Sequence, residues 1–256
     1  MRQIAQNTRV IYSLMMREIM TRYGREGIGF AWLVAEPLVF CLGVLGMWHL
    51  IKPAYEHGIR LGPFVMTGYM ALLLLRHMIS QGVAAINANS GLLYHSLVSP
   101  LHIFIARAAL EFFGATVAFF MVYLVLLSLG QVELPSDYML LLGGWAVVFG
   151  LGMGLSFIFG SLVVLSDIFE RLVAFLSYAL IPVSGAFIMA SFLPDAAREI
   201  YLKIPFPHGT EMIRASIFGE FVETHYDIGY ALLWVLILNL VGLSLLAIAT
   251  KHIEVE

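Results

Sequence analysis

Three observations predict an all-α polytopic membrane fold. Six apolar runs are each long enough to cross a bilayer, the connections between them are mostly too short to hold a domain, and the chain is 61% hydrophobic but only 12% charged. An α-helix needs about 20 mostly apolar residues to cross the hydrocarbon core. The runs lie at 31–51, 63–85, 105–129, 139–165, 172–191 and 229–250. A mean hydropathy of +0.90 exceeds that of an average soluble domain. The expected organisation is a cytoplasmic arm over 1–30 and one six-helix domain over 31–256. That leaves no room for a nucleotide-binding or catalytic domain, so work is done inside the bilayer or with a partner's energy.

A net charge of −3 points away from nucleic acid, and the single cysteine, Cys41 in the first span, excludes an intrachain disulfide and a cysteine-rich metal site. The first 30 residues carry Arg2, Arg9, Arg17, Arg22 and Arg25 without an apolar h-region, so span one is expected to act as an uncleaved insertion signal. With the N-terminus inside, these five join Arg107, Arg171 and Lys251 on the cytoplasmic side, and they outnumber Lys52, Arg60, Arg198, Lys203 and Arg214 outside. The positive-inside rule then predicts cytoplasmic N- and C-termini.

In the arm, Ile11, Met15, Ile19 and Tyr23 recur every four residues while Ser13, Arg17 and Thr21 take another face. This predicts an amphipathic helix lying in the cytoplasmic interface, or a generic juxtamembrane anchor. Charges inside spans should face protein or water, because each costs about 2.5–3.5 kcal/mol at a helix centre. Glu36 precedes Pro37 in span one; Arg76 and His77 lie deepest, in span two; Arg107 and Glu111 stand four apart on span three. Glu36, Arg107 and Glu111 read as snorkelling groups or as an ion pair with each other. Arg76 reads as part of a substrate path or as a structural partner of Glu36.

Between spans two and three, Gly91 and Pro100 bound an apolar stretch from Leu92 to Val98, expected as a short helix or turn that docks on another protein or packs on its own bundle. Gly150, Gly154 and Gly160 form a helix-packing stripe on span four. After span five, Pro194 followed by Asp195 predicts one short external helix, and Pro205 and Pro207 set off a second over 210–221, both half-buried and re-entrant-like. Glu211 and Arg214, three apart, would share a face of the second. No HExxH, Walker A, GxSxG or CxxC motif occurs.

Read together, these segments resemble a known family. Arg22-Tyr-Gly-Arg25, Gly29-Phe-Ala-Trp32 and Glu36-Pro37 are similar to the start of span one in ABC-2-type polysaccharide-export permeases. Leu92-Leu-Tyr94, Val98-Ser-Pro-Leu101, Ile105-Ala-Arg107 and Glu111 resemble that family's connector, and Pro205-Phe-Pro-His208, Glu211, Arg214 and Phe218-Gly219 its signature before the last span. The order and spacing fit along nearly the whole chain, in detail most similar to the KpsM-type capsule exporters.

The resemblance implies a homodimer in the bacterial inner membrane, bound to a separate ATPase subunit that holds ATP and Mg, with no cofactor on this chain. The cargo implied is an acidic, lipid-linked capsular polysaccharide, passed to a periplasmic adaptor or co-polymerase and an outer-membrane exporter. Leu92, Leu93, Tyr94, His95, Val98 and Pro100 would form the coupling connector. Arg76 and His77 are the candidate path residues. An ABC-2 exporter of O-antigen, teichoic acid or another substrate remains open, as does an intramembrane enzyme built on Arg76, His77 and Glu36.

Overall fold

The computed structural model describes residues 2–23, 29–51, 55–56, 58–93, 98–166, 168–219 and 222–253. Arg25, Tyr94, His95 and Phe221 lie outside them. Helix α1 (Arg2–Tyr23) precedes α2 (Gly29–Ile51); a two-stranded antiparallel hairpin, β1 (Tyr55–Glu56) and β2 (Ile59–Arg60), leads into α3 (Leu61–Val83). A 3₁₀ turn (Asn87–Asn89) and α4 (Ser90–Leu93) form the connector to α5 (Pro100–Ser128). Then come α6 (Tyr138–Leu165), α7 (Ile168–Val183), α8 (Asp195–Tyr201), α9 (Phe206–Phe218) and α10 (Ile228–Ile253).

Five helices among the described residues are long and apolar enough to cross a membrane: Ala31–Ile51, Leu61–Val83, Pro100–Ser128, Tyr138–Leu165 and Ile228–His252. The architecture is therefore an all-α polytopic bundle. Helix α3 is its axis, 83% buried over its apolar window, against 17% for α2 and for α10. α3 packs on α2, α5, α6 and α9, whereas α10 packs chiefly along α6. The glycine stripe makes that last contact possible. A Cβ at Gly150 or Gly154 would strike Val235 or Leu238 at 2.6 Å, and Asn239 Nδ2 donates to the Gly150 carbonyl at 2.8 Å.

The run expected to span 172–191 is α-helical only as far as Val183, within an α7 that starts earlier, at Ile168, and is 16 residues or about 24 Å long. One cause is local and the other lies elsewhere in the chain. The carbonyls of Ala186 and Ile188 accept hydrogen bonds from Arg214, and Gly185 turns the backbone at φ +82°. Gly68 on α3 lets this segment press in, since a Cβ there would lie 2.1 Å from the Ala186 carbonyl oxygen.

The connector also differs from expectation. Its helix is Ser90–Leu93, so Gly91 lies inside it, and Val98 and Ser99 are not helical. Ser99 instead caps α5, its Oγ accepting from the His102 N–H while His102 Nδ1 accepts from the Ser99 N–H, with Pro100 in the first turn. α9 begins at Phe206 rather than at 210, Pro207 occupying its first turn where the missing N–H has no helical partner to lose. Nor are the two short helices alike: α8 is largely exposed, while Pro207 to Arg214 of α9 are all buried, wedged against α6 and α3.

Candidate functional site

Charged side chains gather at the two ends of the bundle, and the two gatherings are built differently. At the α1 end, five residues from three helices form one string. Arg107 of α5 pairs with Glu18 of α1 at 2.5 Å and donates to the Gln81 carbonyl of α3 at 2.9 Å. Glu18 also holds Arg22 at 3.0 Å, and Arg22 reaches Glu111 of α5 at 2.6 Å. The other Glu111 oxygen lies 3.4 Å from His77 Nδ1 on α3. Arg107 and Glu111 are thus partnered across helices and not with each other, although they stand one turn apart. Burial lowers the Arg22 pKa, but the adjoining Glu111 and Glu18 carboxylates more than reverse this and leave it raised.

Glu18 escaped the reading of the sequence. It is the lone acid among the first 25 residues and stands four before Arg22, the spacing of a helical ion pair. A second tie fixes α1 to the connector: Arg17 Nη1 donates to Asn89 Oδ1 at 2.8 Å, and Asn89 Nδ2 donates to the Ala85 carbonyl at 2.9 Å. Leu14 of α1 packs with Ile86 and Ile103, and Leu92, Leu93 and Val98 lie partly buried against this same cluster. The outward face of the connector is instead Asn87, Ala88, Ser90 and Gly91, all exposed.

At the α9 end, Arg214 is completely buried and donates to the carbonyls of Ile188 and Ala186, each at 3.0 Å. Its guanidinium lies 4.4 Å from the Phe64 ring centroid, while its contact with Glu211 is longer, at 3.5 Å. Glu211 accepts from the N–H groups of Ala190 at 3.2 Å and His225 at 3.4 Å. Burial pushes the Glu211 carboxyl upward against the pull of Arg214, and burial lowers the Arg214 guanidinium despite Glu211. His208 closes the same region: Nδ1 accepts from the Asp227 N–H at 2.9 Å, leaving Nε2 to donate to the Leu202 carbonyl at 2.9 Å. The signature residues Pro207, His208, Glu211 and Arg214 therefore fasten α9 to the segments on either side of it.

Between the two ends, α3 turns a few half-buried residues outward from its otherwise buried length, among them Tyr69 and Arg76, the latter next to the His77 of the α1-end string. Arg76 lies over the Tyr178 ring of α7 at 5.0 Å. Phe187 packs between Tyr69, at 6.2 Å, and Trp48 of α2, at 5.2 Å. Among the described residues no ion pair joins Arg76 to Glu36, which is itself half-buried beside the buried Pro37. Trp32, 56% exposed, points away from the bundle. The arrangement offers a cation and aromatic faces along one side of the central helix, with no set of three His, Cys, Asp or Glu placed to hold a metal among the described residues.

The ABC-2 type transporter family model matches residues 9–218. The chain is 36% identical over 251 residues to the capsule polysaccharide export inner-membrane protein CtrC of Neisseria meningitidis serogroup B, covering 98% of this chain and 95% of that one. It is 37% identical to a capsule polysaccharide export inner-membrane protein BexB of Haemophilus influenzae, with 96% and 93% covered. The polysialic acid transport protein KpsM of Escherichia coli is 24% identical, with 92% and 91% covered.

Proposed function

The chain belongs to the ABC-2 type transporter family, and from that premise we propose that it is the multi-pass inner-membrane permease of an exporter of capsular polysaccharide. It is a transport subunit and not an enzyme. The observation that carries this reading is its likeness, over nearly their whole length, to proteins named for capsule polysaccharide export. A chain with five membrane-length helices among its described residues and no nucleotide-binding motif draws its energy from a separate ATPase subunit, which holds the ATP and Mg. Two copies would assemble in the membrane, α7 supplying the sixth crossing together with the segment that follows it. The N- and C-termini would face the cytoplasm and the α9 end the periplasm, where an adaptor and an outer-membrane channel receive an acidic, lipid-linked chain.

In this reading Arg76 and His77 line the path for sugar, with the rings of Tyr69 and Tyr178 beside them. The connector from Leu92 to Pro100, including Tyr94 and His95, meets the ATPase. Because Leu92, Leu93 and Val98 are partly turned into the permease's own packing, the contact extends to the exposed side just before them, carrying Ala88 and Ser90. The test is genetic. Removing the chain is expected to abolish surface capsule while polysaccharide accumulates inside the cell, and the wild-type chain restores export. Surface capsule that persists without the chain, or loss of O-antigen alone, would contradict the proposal.

A further inference from the structure

Two cavities open side by side at the α9 end, with Arg60 and Gln131 lining both. One, of about 460 Å³, is bounded at the level of the spans by Leu42, Leu45 and Gly46 of α2 and by Val125 and Leu126 of α5, with His49 also in its lining. A Cβ added at Gly46 would meet nothing within 4 Å, so the protein leaves the groove beside α2 unfilled. The other, of about 350 Å³, is lined by Ile59, Pro63 and Phe218 and by the polar side chains of Glu133 and Ser136. The partition is fixed in place. Gln131 Oε1 would lie 2.5 Å from a Cβ at Gly62, and the Arg60 guanidinium donates to the Gly130 carbonyl.

Each part of this pair selects a different part of a ligand. The span-level groove is shaped for an acyl chain, but lipid tails are as apolar as leucine, so the tail alone gains little over the bilayer. Selection therefore falls to the head. A guanidinium presents planar donors that match a phosphate, and His49 adds a further ring N–H from the lining. Beyond the partition, Gln131, Glu133 and Ser136 offer donors and acceptors for hydroxyl groups, with the Phe218 ring beside them. A simple phospholipid would leave this second cavity empty, and a free sugar would leave the groove empty.

We infer that the paired cavities hold an acyl-chain-bearing glycophospholipid, its tail beside Gly46, its phosphate at Arg60 and its first sugar between Glu133, Ser136 and Phe218. This rests on the reading of the cargo as a lipid-linked polysaccharide and makes the site a resting place for the lipid-bearing end at the outer leaflet.

The test uses the purified full-length chain in detergent and three short-chain probes: dioctanoylglycerol phosphoglucose, dioctanoyl phosphatidylglycerol, and dioctanoylglycerol glucoside without phosphate. Occupancy is read by native mass spectrometry. The phosphoglucose lipid is expected to bind about tenfold more tightly than the glucoside, in line with one charge-assisted hydrogen-bonding group, and more tightly than phosphatidylglycerol, whose head leaves the second cavity empty. Gly46→Leu should weaken all three probes, while Arg60→Gln should remove only the advantage conferred by phosphate; elution as a monodisperse peak shows that each variant is folded. Phosphatidylglycerol binding equal to that of the phosphoglucose lipid would reduce the site to one for bilayer phospholipid and overturn the inference, as would an unchanged pattern in both variants. Binding is measured apart from export, so a strain that keeps its capsule without this chain would end the functional reading and leave the binding result to be judged by itself.

Discussion

Arg22 and Arg214 are both arginines withdrawn from water beside a glutamate, but they are held in opposite ways. Among the described residues Arg22 meets only side chains, Glu18 of its own helix and Glu111 of another, and it stays 16% exposed. Arg214 has no exposure, and its two shortest hydrogen bonds go to backbone carbonyls of a loop. A network of side chains can exchange partners at modest cost, because each charge finds another opposite charge within reach. Carbonyls cannot be exchanged. Arg214 therefore defines the path of residues 184–190, and this end of the molecule is expected to keep its shape while the α1 end adjusts.

The sharpest way to break the comparison is to remove Arg214. Arg214→Met would strand the Ala186 and Ile188 carbonyls and leave Glu211 buried without its counter-charge, a loss expected at about 3–5 kcal/mol. The thermal midpoint of the purified protein should fall steeply, and much of the variant should fail to reach the membrane. Gly68→Ala attacks the same loop without touching a charge. Its Cβ would displace the Ala186 carbonyl, with an expected cost of about 1–3 kcal/mol from overpacking. At the other end, Asn89→Ala removes the side chain that Arg17 holds and is expected to cost about 1 kcal/mol in stability. Its larger effect should be on coupling: ATP hydrolysis by the assembled transporter should respond less to cargo, while membrane abundance stays near normal. A midpoint that falls as far for Asn89→Ala as for Arg214→Met would erase the distinction between the ends.

The two ends also differed in how far the sequence revealed them. Runs such as 63–85 and 139–165 announce their helices, since about 20 apolar residues leave a chain in lipid little alternative. The course of the chain after α7 was only partly visible: Gly185 lies within the run and turns the backbone, but Arg214, which holds the carbonyls around it, lies 26 residues beyond Ile188. Pairing of Glu211 with Arg214 followed from their spacing, yet the carbonyls that matter more to Arg214 could not be read from any local pattern. Glu18 had a visible signal in its position four before Arg22. That Arg107 would choose Glu18 over the neighbouring Glu111 depended on how α1 lies against α5, which no periodicity encodes. The twin cavities bring the end of α2 and the start of α3 against the turn after α5, about 70 residues further along the chain.

Charge reversal at both ends, measured as the thermal midpoint of singles and doubles in one detergent, tests the central claim most directly. If Arg22 is held by exchangeable side chains, Arg22→Glu combined with Glu111→Arg should recover a substantial part of what either single change loses. If Arg214 is held by carbonyls, Arg214→Glu combined with Glu211→Arg should recover nothing, because a carboxylate at 214 would face the Ala186 and Ile188 oxygens. Rescue at 211 and 214 equal to that at 22 and 111 would contradict the account.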